Sequence, residues 1–277
     1  MEGGRIERVE LRRPDLRFPF PPGFGEAIEG RTVTRLGRRA KYLLADLDAA
    51  AGAEPATLVM HLGMSGAFRV LGGHEGLGGD CHAKAKDPAH DHVAFALGSG
   101  TRVVYNDPRR FGFMTIAPTA ALDRHPYFAG LGPEPVGEGF DGALLARAFA
   151  GRRTSLKAAL LDQRTVAGLG NIYACEALWR AGLSPERQAA GIAGAGKRTP
   201  RAARALADAV RAVIAEAIEA GGSSLRDHRM TDGSLGRFQH RFAVYGREGE
   251  PCPRCGGGIV RIAQNGRSTF FCPRCQD

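Results

Sequence analysis

Four cysteines near the carboxyl terminus have the type and spacing of a metal site. Cys252 and Cys255 form one Cys-Pro-Arg-Cys knuckle, and Cys272 and Cys275 form a second one after sixteen intervening residues. Two such knuckles at this separation are typical of a four-thiolate zinc site, because Zn²⁺ prefers four tetrahedral ligands. We therefore expect one structural Zn²⁺ whose thiolates leave no position open for chemistry.

The residues between the two knuckles predict a hairpin. Ile259, Arg261 and Phe270 suggest two short strands, and Asn265-Gly266 between them is the strongest short hairpin signal. Arg267 should then stand at or beside the tip of a metal-bound finger. On spacing alone, a solvated arginine explains Arg267 as well as an arginine that contacts a ligand.

A second group of residues suited to chemistry follows Asp107-Pro108, which predicts a turn. This turn should present Arg109, Arg110 and Phe111 outward, and arginine beside an aromatic ring suits phosphate contact with base stacking. The alternative is an ordinary hairpin with a solvated, charged tip.

Two further segments have weaker signals. Met64 lies in a glycine-bounded turn, where a methionine is more often core filler than a probe. Residues 72–91 are rich in glycine and polar residues, and they lack a regular ligand spacing, so that a mobile surface loop is favoured over a second metal site. The possible ligands in this loop are His74, Cys81, His82 and His90.

The composition predicts a globular protein with an anionic partner. The 277 residues are 43% hydrophobic and 24% charged, with a net charge of +9. Residues 118–277 hold most of the excess, 22 Lys and Arg against 15 Asp and Glu. Such a balance suits nucleic acid or an anionic membrane surface. No apolar run of about 18 residues occurs and no signal peptide is visible, so we expect no membrane span. Since Cys81 and Cys175 need no disulfide, a reducing cytoplasm fits best.

Alternating apolar residues predict an antiparallel, sandwich-like β domain over residues 1–117. A Pro- and Gly-rich stretch at 118–140 then predicts a linker. Seven strands are expected in the first domain, at 5–12, 32–36, 41–47, 57–62, 67–71, 92–97 and 102–105.

The second half changes to a helical period. Helices are expected at 143–150, from Ser155, from Asn171 as the N-cap residue to about Arg180, and at 201–220. The last helix should bury one stripe, and Gly221-Gly222 should end it. The stripe is Leu206, Val210, Val213, Ile214, Ala217 and Ile218. Two helices with a glycine turn between them, as at 155–180, are typical of a helix-turn-helix motif. The backbone amides at the N-terminus of such a helix favour a phosphate.

Taken in order, several motifs resemble those of bacterial formamidopyrimidine-DNA glycosylase, over nearly the whole chain. Endonuclease VIII, the relative for oxidised pyrimidines, shares this architecture, but the Asp-Pro-Arg-Arg-Phe-Gly stretch and the finger are more similar to the purine-directed branch. The motifs are Ala40–Leu44, His61–Gly66, His90–His92, Asp107–Gly112, Gly168–Tyr173, and Tyr245–Arg247 through the zinc hairpin with Arg267–Phe270.

The resemblance implies an α+β, multi-domain fold. It comprises an N-terminal β-sandwich (1–117), the linker, a helix–two-turn–helix domain (141–240) and a zinc finger (241–277), with double-stranded DNA bound between them. The implied function is a monomeric base-excision-repair glycosylase with AP lyase activity on oxidised purines, which nicks DNA by β,δ-elimination. The loop at 223–239 would close over the extruded base.

The resemblance also implies roles for individual residues. Lys41 and Arg267 would assist the elimination steps. Met64, Arg109 and Phe111 would fill the space left in the duplex when the lesion is turned out, which offsets part of the cost of extrusion. Backbone phosphates, which fix register without reading sequence, would be bound by His90, Arg109, Arg152, Lys157, Asn171 and Arg267.

At the amino end the chain departs from the family. The family begins with Pro-Glu-Leu-Pro-Glu, whose proline amine is the nucleophile and whose first glutamate is the acid/base, followed by a helix. The first residues here, Met1-Glu2-Gly3-Gly4, align with the loop after that helix. No residue is therefore assigned as nucleophile or as principal acid/base.

Three explanations stay open for this departure. A misassigned start, with a longer natural protein, is favoured. A genuine truncation would bind damaged DNA without cleaving the glycosidic bond. A substitute amine, on Met1 or Lys41, would keep weak lyase activity, which for Lys41 requires burial or a cationic neighbour such as Arg39. Two alternative functions also remain, an endonuclease VIII-like enzyme for oxidised pyrimidines and a zinc-ribbon protein that grips another protein.

Overall fold

The computed structural model describes residues 1–49, 52–72, 87–194, 198–223 and 236–277. The chain divides into two compact units, 1–129 with 223–236, and 130–222 with 237–277. No helix in these described ranges is both long and apolar enough to cross a membrane. Most of the two loops expected at 72–91 and 223–239 lies outside the described residues, and His74, Cys81 and His82 lie there with them.

Among its described residues, the first unit contains eight strands, of which the last was not expected from sequence. Their bounds are β1 Ile6–Leu11, β2 Val33–Arg39, β3 Tyr42–Leu47, β4 Ala56–His61, β5 Ala67–Leu71, β6 Asp91–Leu97, β7 Arg102–Asn106 and β8 Phe113–Pro118. They form two antiparallel sheets, ordered β1-β6-β7-β5 and β2-β3-β4-β8.

The apolar core of the first unit lies between these sheets. On β6, Val93, Phe95 and Leu97 stand at alternate positions and belong to one buried cluster with Leu47 and Leu58 of the other sheet, and Ala94 between them is buried as well. A period of two residues places alternate side chains on one face of a strand, so this alternation forms a buried layer. The predicted sandwich is thereby confirmed.

The Pro- and Gly-rich stretch at 118–140 has more structure than a linker needs. It forms a 3-10 turn at Thr119–Arg124. Phe128 is buried against Tyr42 of the first unit, with ring centres 5.1 Å apart, and Phe140 is buried in the helical core of the second unit. Phe128, in the middle of the stretch, therefore packs on the first unit, and Phe140, at its end, packs in the core of the second.

In the described part of the second unit, four α-helices form the core. They are α1 Gly142–Phe149, α2 Leu156–Leu161, α3 Asn171–Ala181 and α4 Arg201–Glu219. The stripe predicted on α4 is buried at Leu206, Val210, Val213 and Ala217, but the inclusion of Ile218 was wrong. Ile218 is 65% exposed, and it lies one residue before the end of the helix. Gly221 and Gly222 end the helix as predicted, with φ angles of 69° and 86°.

The N-cap predicted for α3 was also wrong. Gly170 is the cap residue, and Asn171 is the first residue of the helix. Its side chain turns toward the finger hairpin, because Nδ2 donates to the carbonyl of Ser268 at 2.9 Å. Oδ1, the atom that would accept in an N-cap, has no partner among the described residues.

The finger forms the predicted hairpin from β9 Val260–Gln264 and β10 Arg267–Phe271. Gln264 pairs with Arg267, which leaves the two-residue connection Asn265-Gly266. Both connecting residues have positive φ, 49° and 71°, as a tight hairpin turn with right-handed strand twist requires. The finger lies in the same compact unit as the helices.

Candidate nucleic-acid interface and zinc centre

The four predicted zinc ligands come together. Their Sγ atoms all lie within 4.8 Å of one another, with Cys252 3.7 Å from Cys275 and Cys255 3.4 Å from Cys272. Sulfur atoms on a tetrahedral Zn²⁺, each at about 2.3 Å, are about 3.8 Å apart. The donor set and the spacing therefore fit a structural Zn²⁺ with four thiolate ligands.

A tryptophan supports this centre from outside. The indole Nε1 of Trp179 donates to Sγ of Cys252 at 3.4 Å, and the guanidinium of Arg254 lies 4.5 Å from the centre of the Trp179 ring. Hydrogen bonds to ligand atoms orient them and tune their basicity. Trp179 belongs to α3, so this bond also joins the helical core to the finger.

We expect Trp179→Phe to weaken zinc binding by about tenfold, because the N–H···S hydrogen bond is lost while the ring is kept. The measurement is competition for zinc with a coloured chelator. Tyr245→Phe is the matched control, since Tyr245 packs against the same small core and its hydroxyl is paired with Asn171 instead of a thiolate. Equal zinc affinity in Trp179→Phe and the natural chain would contradict this role.

Lys157 lies behind the Arg267 strand instead of on the surface. It is 1% exposed, and its Nζ donates to Thr269 Oγ1 at 2.5 Å and to the Ser268 carbonyl at 3.3 Å. Burial lowers the pKa of Lys157, and Arg267 adds to the effect, while Cys175 opposes it. The Thr269 hydroxyl donates in turn to Gln264 Oε1 at 2.8 Å.

Asn171 is the second residue, after Lys157, whose side chain bonds β10. Its Nδ2 bonds the Ser268 carbonyl, and its buried Oδ1 has no hydrogen-bond partner among the described residues. Arg267 itself is exposed and heads β10. A cavity of about 240 Å³ opens beside it, lined by Lys157, Ala158, Leu161, Asp162, Gln264, Asn265 and Arg267.

Arg152 is held by a carboxylate near this cavity. Its Nη1 lies 3.0 Å from Asp162 Oδ2, and Arg164 binds the same carboxylate at 3.0 Å. Hydrogen bonds from Arg164, reinforced by Arg152 and opposed by burial, lower the pKa of Asp162 to about 2. Two guanidinium groups on one carboxylate leave a net positive charge, which suits an anionic ligand.

In the first unit, two turns present the side chains that were predicted to fill the space left by the lesion. We call these side chains, Met64, Arg109 and Phe111, the probes. We call residues 62–66 the Met64 turn and residues 107–112 the Phe111 turn. Met64 is 66% exposed and Phe111 is 41% exposed, so core filling is excluded for Met64. The Arg109 guanidinium lies 4.6 Å from the centre of the Phe111 ring, within cation–π distance.

Lys41 and His90 lie elsewhere on the same unit. Lys41 follows Ala40, whose φ of 52° is left-handed, in the connection between β2 and β3. It is exposed, so burial, the first of the two conditions for a substitute amine, is not met. Burial, followed by the charges of Lys41 and Arg17, lowers the pKa of the nearby His61. His90 is half-buried, and its carbonyl accepts from Asp107 N at 3.0 Å.

Two fully buried carboxylates among the described residues were not predicted from sequence. Asp107 and Glu176 are both 0% exposed, and both accept hydrogen bonds from backbone amides. A signal existed for Asp107, which stands within a turn motif, but not for Glu176, which occupies an ordinary helix position. The partners of Glu176 lie 67 to 69 residues further along the chain.

The fold and these sites define a class. It joins a two-sheet sandwich with exposed turns to a helical unit that carries a four-thiolate finger. Family models agree along the chain: "Formamidopyrimidine-DNA glycosylase N-terminal domain" matches residues 1–114, "Formamidopyrimidine-DNA glycosylase H2TH domain" matches 131–229, and "Zinc finger found in FPG and IleRS" matches 249–277.

Individual relatives agree with the family models. The formamidopyrimidine-DNA glycosylases of Rhodopseudomonas palustris (strain HaA2) and Chelativorans sp. (strain BNC1) are each 60% identical, over 100% of this chain and 94% of the relative. The MutM (Fpg) protein of Thermus thermophilus has a TM-score of 0.81 at 40% identity, covering 100% of this chain and 92% of that one. Lactococcus lactis Fpg, solved with DNA containing an abasic site, has a TM-score of 0.82 at 30% identity, covering 100% and 94%. The chain belongs to the formamidopyrimidine-DNA glycosylase family.

Proposed function

We propose that this protein is a DNA glycosylase and AP lyase that removes oxidised purines from double-stranded DNA. The observation that carries the proposal is the 60% identity with formamidopyrimidine-DNA glycosylases along the whole chain. The net charge of +9 and the structural zinc finger support it. The protein works as a monomer on duplex DNA, which places it in the cytoplasm at the nucleoid.

We assign the phosphate contacts to both units. In the first unit they are His90 and Arg109. In the second unit they are Arg152, Asn171 and Arg267. The phosphate contact expected of Lys157 is replaced by a positioning role, because its Nζ is buried and donates to Thr269 of β10. Asn171 also bonds β10, so both residues orient Arg267. Phosphate contacts fix the register of a protein on DNA and carry no sequence information, which suits lesions that arise anywhere.

We assign extrusion of the lesion to the Met64 turn and the Phe111 turn. Turning a base out of the stack costs a few kcal/mol, and side chains that enter the vacated space offset part of that cost. Met64 and Phe111 supply apolar surface, and Arg109 supplies hydrogen-bond donors for the base left unpaired.

The chemical steps are an elimination on each side of the sugar. After an amine displaces the base and forms a Schiff base, loss of the 3′ phosphate is the β step and loss of the 5′ phosphate is the δ step. We assign assistance in these steps to Lys41 and Arg267, which are both exposed cations. The amine nucleophile is not assigned to any of the 277 residues.

Lesion-selective binding tests the proposal with the 277-residue, zinc-loaded chain. Fluorescence anisotropy is measured on duplexes with 8-oxoguanine opposite cytosine, an abasic-site analogue, thymine glycol or no damage. We expect at least about tenfold tighter binding to the first two, and log K falling linearly with log salt. Equal affinity for all four, or affinity that ignores salt, would contradict it. Preference for thymine glycol would favour an endonuclease VIII-like specificity instead.

A further inference from the structure

A buried carboxylate joins the two turns that carry the probes. Asp107 is 0% exposed and stands at the start of the Phe111 turn. Its Oδ1 accepts from Ser65 Oγ of the Met64 turn at 2.5 Å, and its Oδ2 accepts from the Gly112 N–H of its own turn at 2.9 Å. One side chain thus bonds both turns.

Two further donors complete its surroundings. The Arg109 N–H lies 3.3 Å from Asp107 Oδ1 and 3.3 Å from Ser65 Oγ, and so it is shared between the turns. The Tyr105 hydroxyl lies 3.0 Å from Asp107 Oδ2. A carboxylate accepts through both oxygens and has no proton to donate, so four donors suit it.

Tyr105 extends the network to the far end of the Met64 turn. Its hydroxyl lies 3.2 Å from the Leu62 carbonyl as well as near Asp107, and its single proton serves one acceptor at a time. Burial, then the charge of Asp107 and their hydrogen bond, raises the pKa of Tyr105 far above its ordinary value. The hydroxyl therefore stays protonated and remains a donor.

Glycines allow the two turns to touch. A Cβ on Gly63 would lie 2.5 Å from the Gly112 nitrogen, and one on Gly112 would lie 1.8 Å from the Tyr105 hydroxyl. Neither position has room for a side chain. Arg110, between the probes, has a left-handed φ of 54°, a strained conformation for a residue with a Cβ. Backbone strain of this kind persists where the surroundings over-determine the conformation.

We propose that Asp107 is a positioning residue that fixes the Met64 turn and the Phe111 turn as one rigid wedge for lesion extrusion. The inference rests on the proposed function. Two independent turns would each have to be ordered as they enter the duplex, which costs conformational entropy at the moment of extrusion. A wedge ordered in advance keeps Met64, Arg109 and Phe111 aligned, so that more of their binding energy offsets the unstacking.

The test compares Asp107→Asn with the natural chain on two duplexes. Both contain 8-oxoguanine, paired with cytosine in one and placed in an unpaired bulge in the other. A base that is already unpaired costs less to extrude. Asparagine keeps the shape, but its amide nitrogen cannot accept, so the donors on one side lose their partner. The matched control is Asp46→Asn, a carboxylate on β3 that bonds Thr57 Oγ1 at 2.8 Å and pairs with Arg35.

We expect Asp107→Asn to weaken binding to the paired lesion by about tenfold, and to the bulged lesion by about threefold or less. Ser65→Ala should show a smaller loss with the same difference between duplexes, and Asp46→Asn should show no difference. Equal losses on both duplexes, or no loss, would overturn the inference while the lesion selectivity of the natural chain stands. A natural chain without lesion selectivity would overturn the proposed function and this inference with it.

Discussion

Cys272→Ala should release the zinc ion and abolish tight binding to damaged DNA. The thiol of Cys272 is fully buried in the finger core, which contains few other apolar groups: Cys175, Val244, Cys252, Ile259 and Phe270. A core this small depends on its metal, and structural zinc contributes about 10–16 kcal/mol in zinc-finger peptides. Without it the hairpin should unfold, and Arg267 would lose its position.

The expected loss is at least about 100-fold in affinity for the 8-oxoguanine duplex, which corresponds to about 2.8 kcal/mol. Zinc per chain is measured by elemental analysis, and affinity is measured by anisotropy. Cys175→Ala is the matched control, because Cys175 is buried in the same core and is not one of the four clustered thiols. Full zinc content and full affinity in Cys272→Ala would contradict the structural role of the metal.

Glu176→Ala should cost the second unit about 3–5 kcal/mol of unfolding free energy. The carboxylate on α3 is fully buried and accepts the backbone N–H groups of Ala243, Val244 and Tyr245 at 2.9 to 3.0 Å. Alanine would leave three buried donors unsatisfied, and each costs about 1–3 kcal/mol. The segment 242–245 that leads into the finger would lose its anchor on the helices.

Thermal unfolding measures this effect, with a fall of about 10 °C expected for a unit of this size. The Tm of Glu176→Gln should lie between those of Glu176→Ala and the natural chain, since an amide oxygen still accepts from Val244 and Tyr245. Glu219→Ala is the control, because Glu219 is exposed and its pair with Arg241 at 3.5 Å lies on the surface, where such pairs contribute little. A Tm for Glu176→Ala as high as for this control would contradict the anchoring role.

Features encoded locally could be predicted from sequence. The zinc ligands follow from the spacing of Cys252, Cys255, Cys272 and Cys275, and the hairpin follows from Asn265-Gly266. Alternation identified seven strands of the sandwich, and the helical period identified the core stripe of α4. These signals depend on neighbours a few residues apart, so no tertiary information is needed to read them.

Features that depend on distant partners could not be predicted. The exposure of Met64 and the burial of Lys157 are set by packing between segments, and a methionine or a lysine gives no local sign of either. Asn171 lies inside the helix instead of capping it, and its amide nitrogen donates to the carbonyl of Ser268, 97 residues away. Glu176 looks like an ordinary acidic residue until the amides that surround it are placed, and the turn motif that marks Asp107 gives no sign of its bond with Ser65, 42 residues away.

Covalent trapping tests the central claim, that the chain is a glycosylase and lyase, most directly. Borohydride reduces the Schiff base between the nucleophilic amine and the sugar to a stable bond, and the adduct is separated by electrophoresis. The assay uses the 277-residue chain and the same chain extended so that the family's Pro-Glu-Leu-Pro-Glu segment and helix precede it. We expect an adduct of the extended chain with the 8-oxoguanine duplex and none with undamaged DNA. No adduct with either form, or equal adduct with undamaged DNA, would contradict the account.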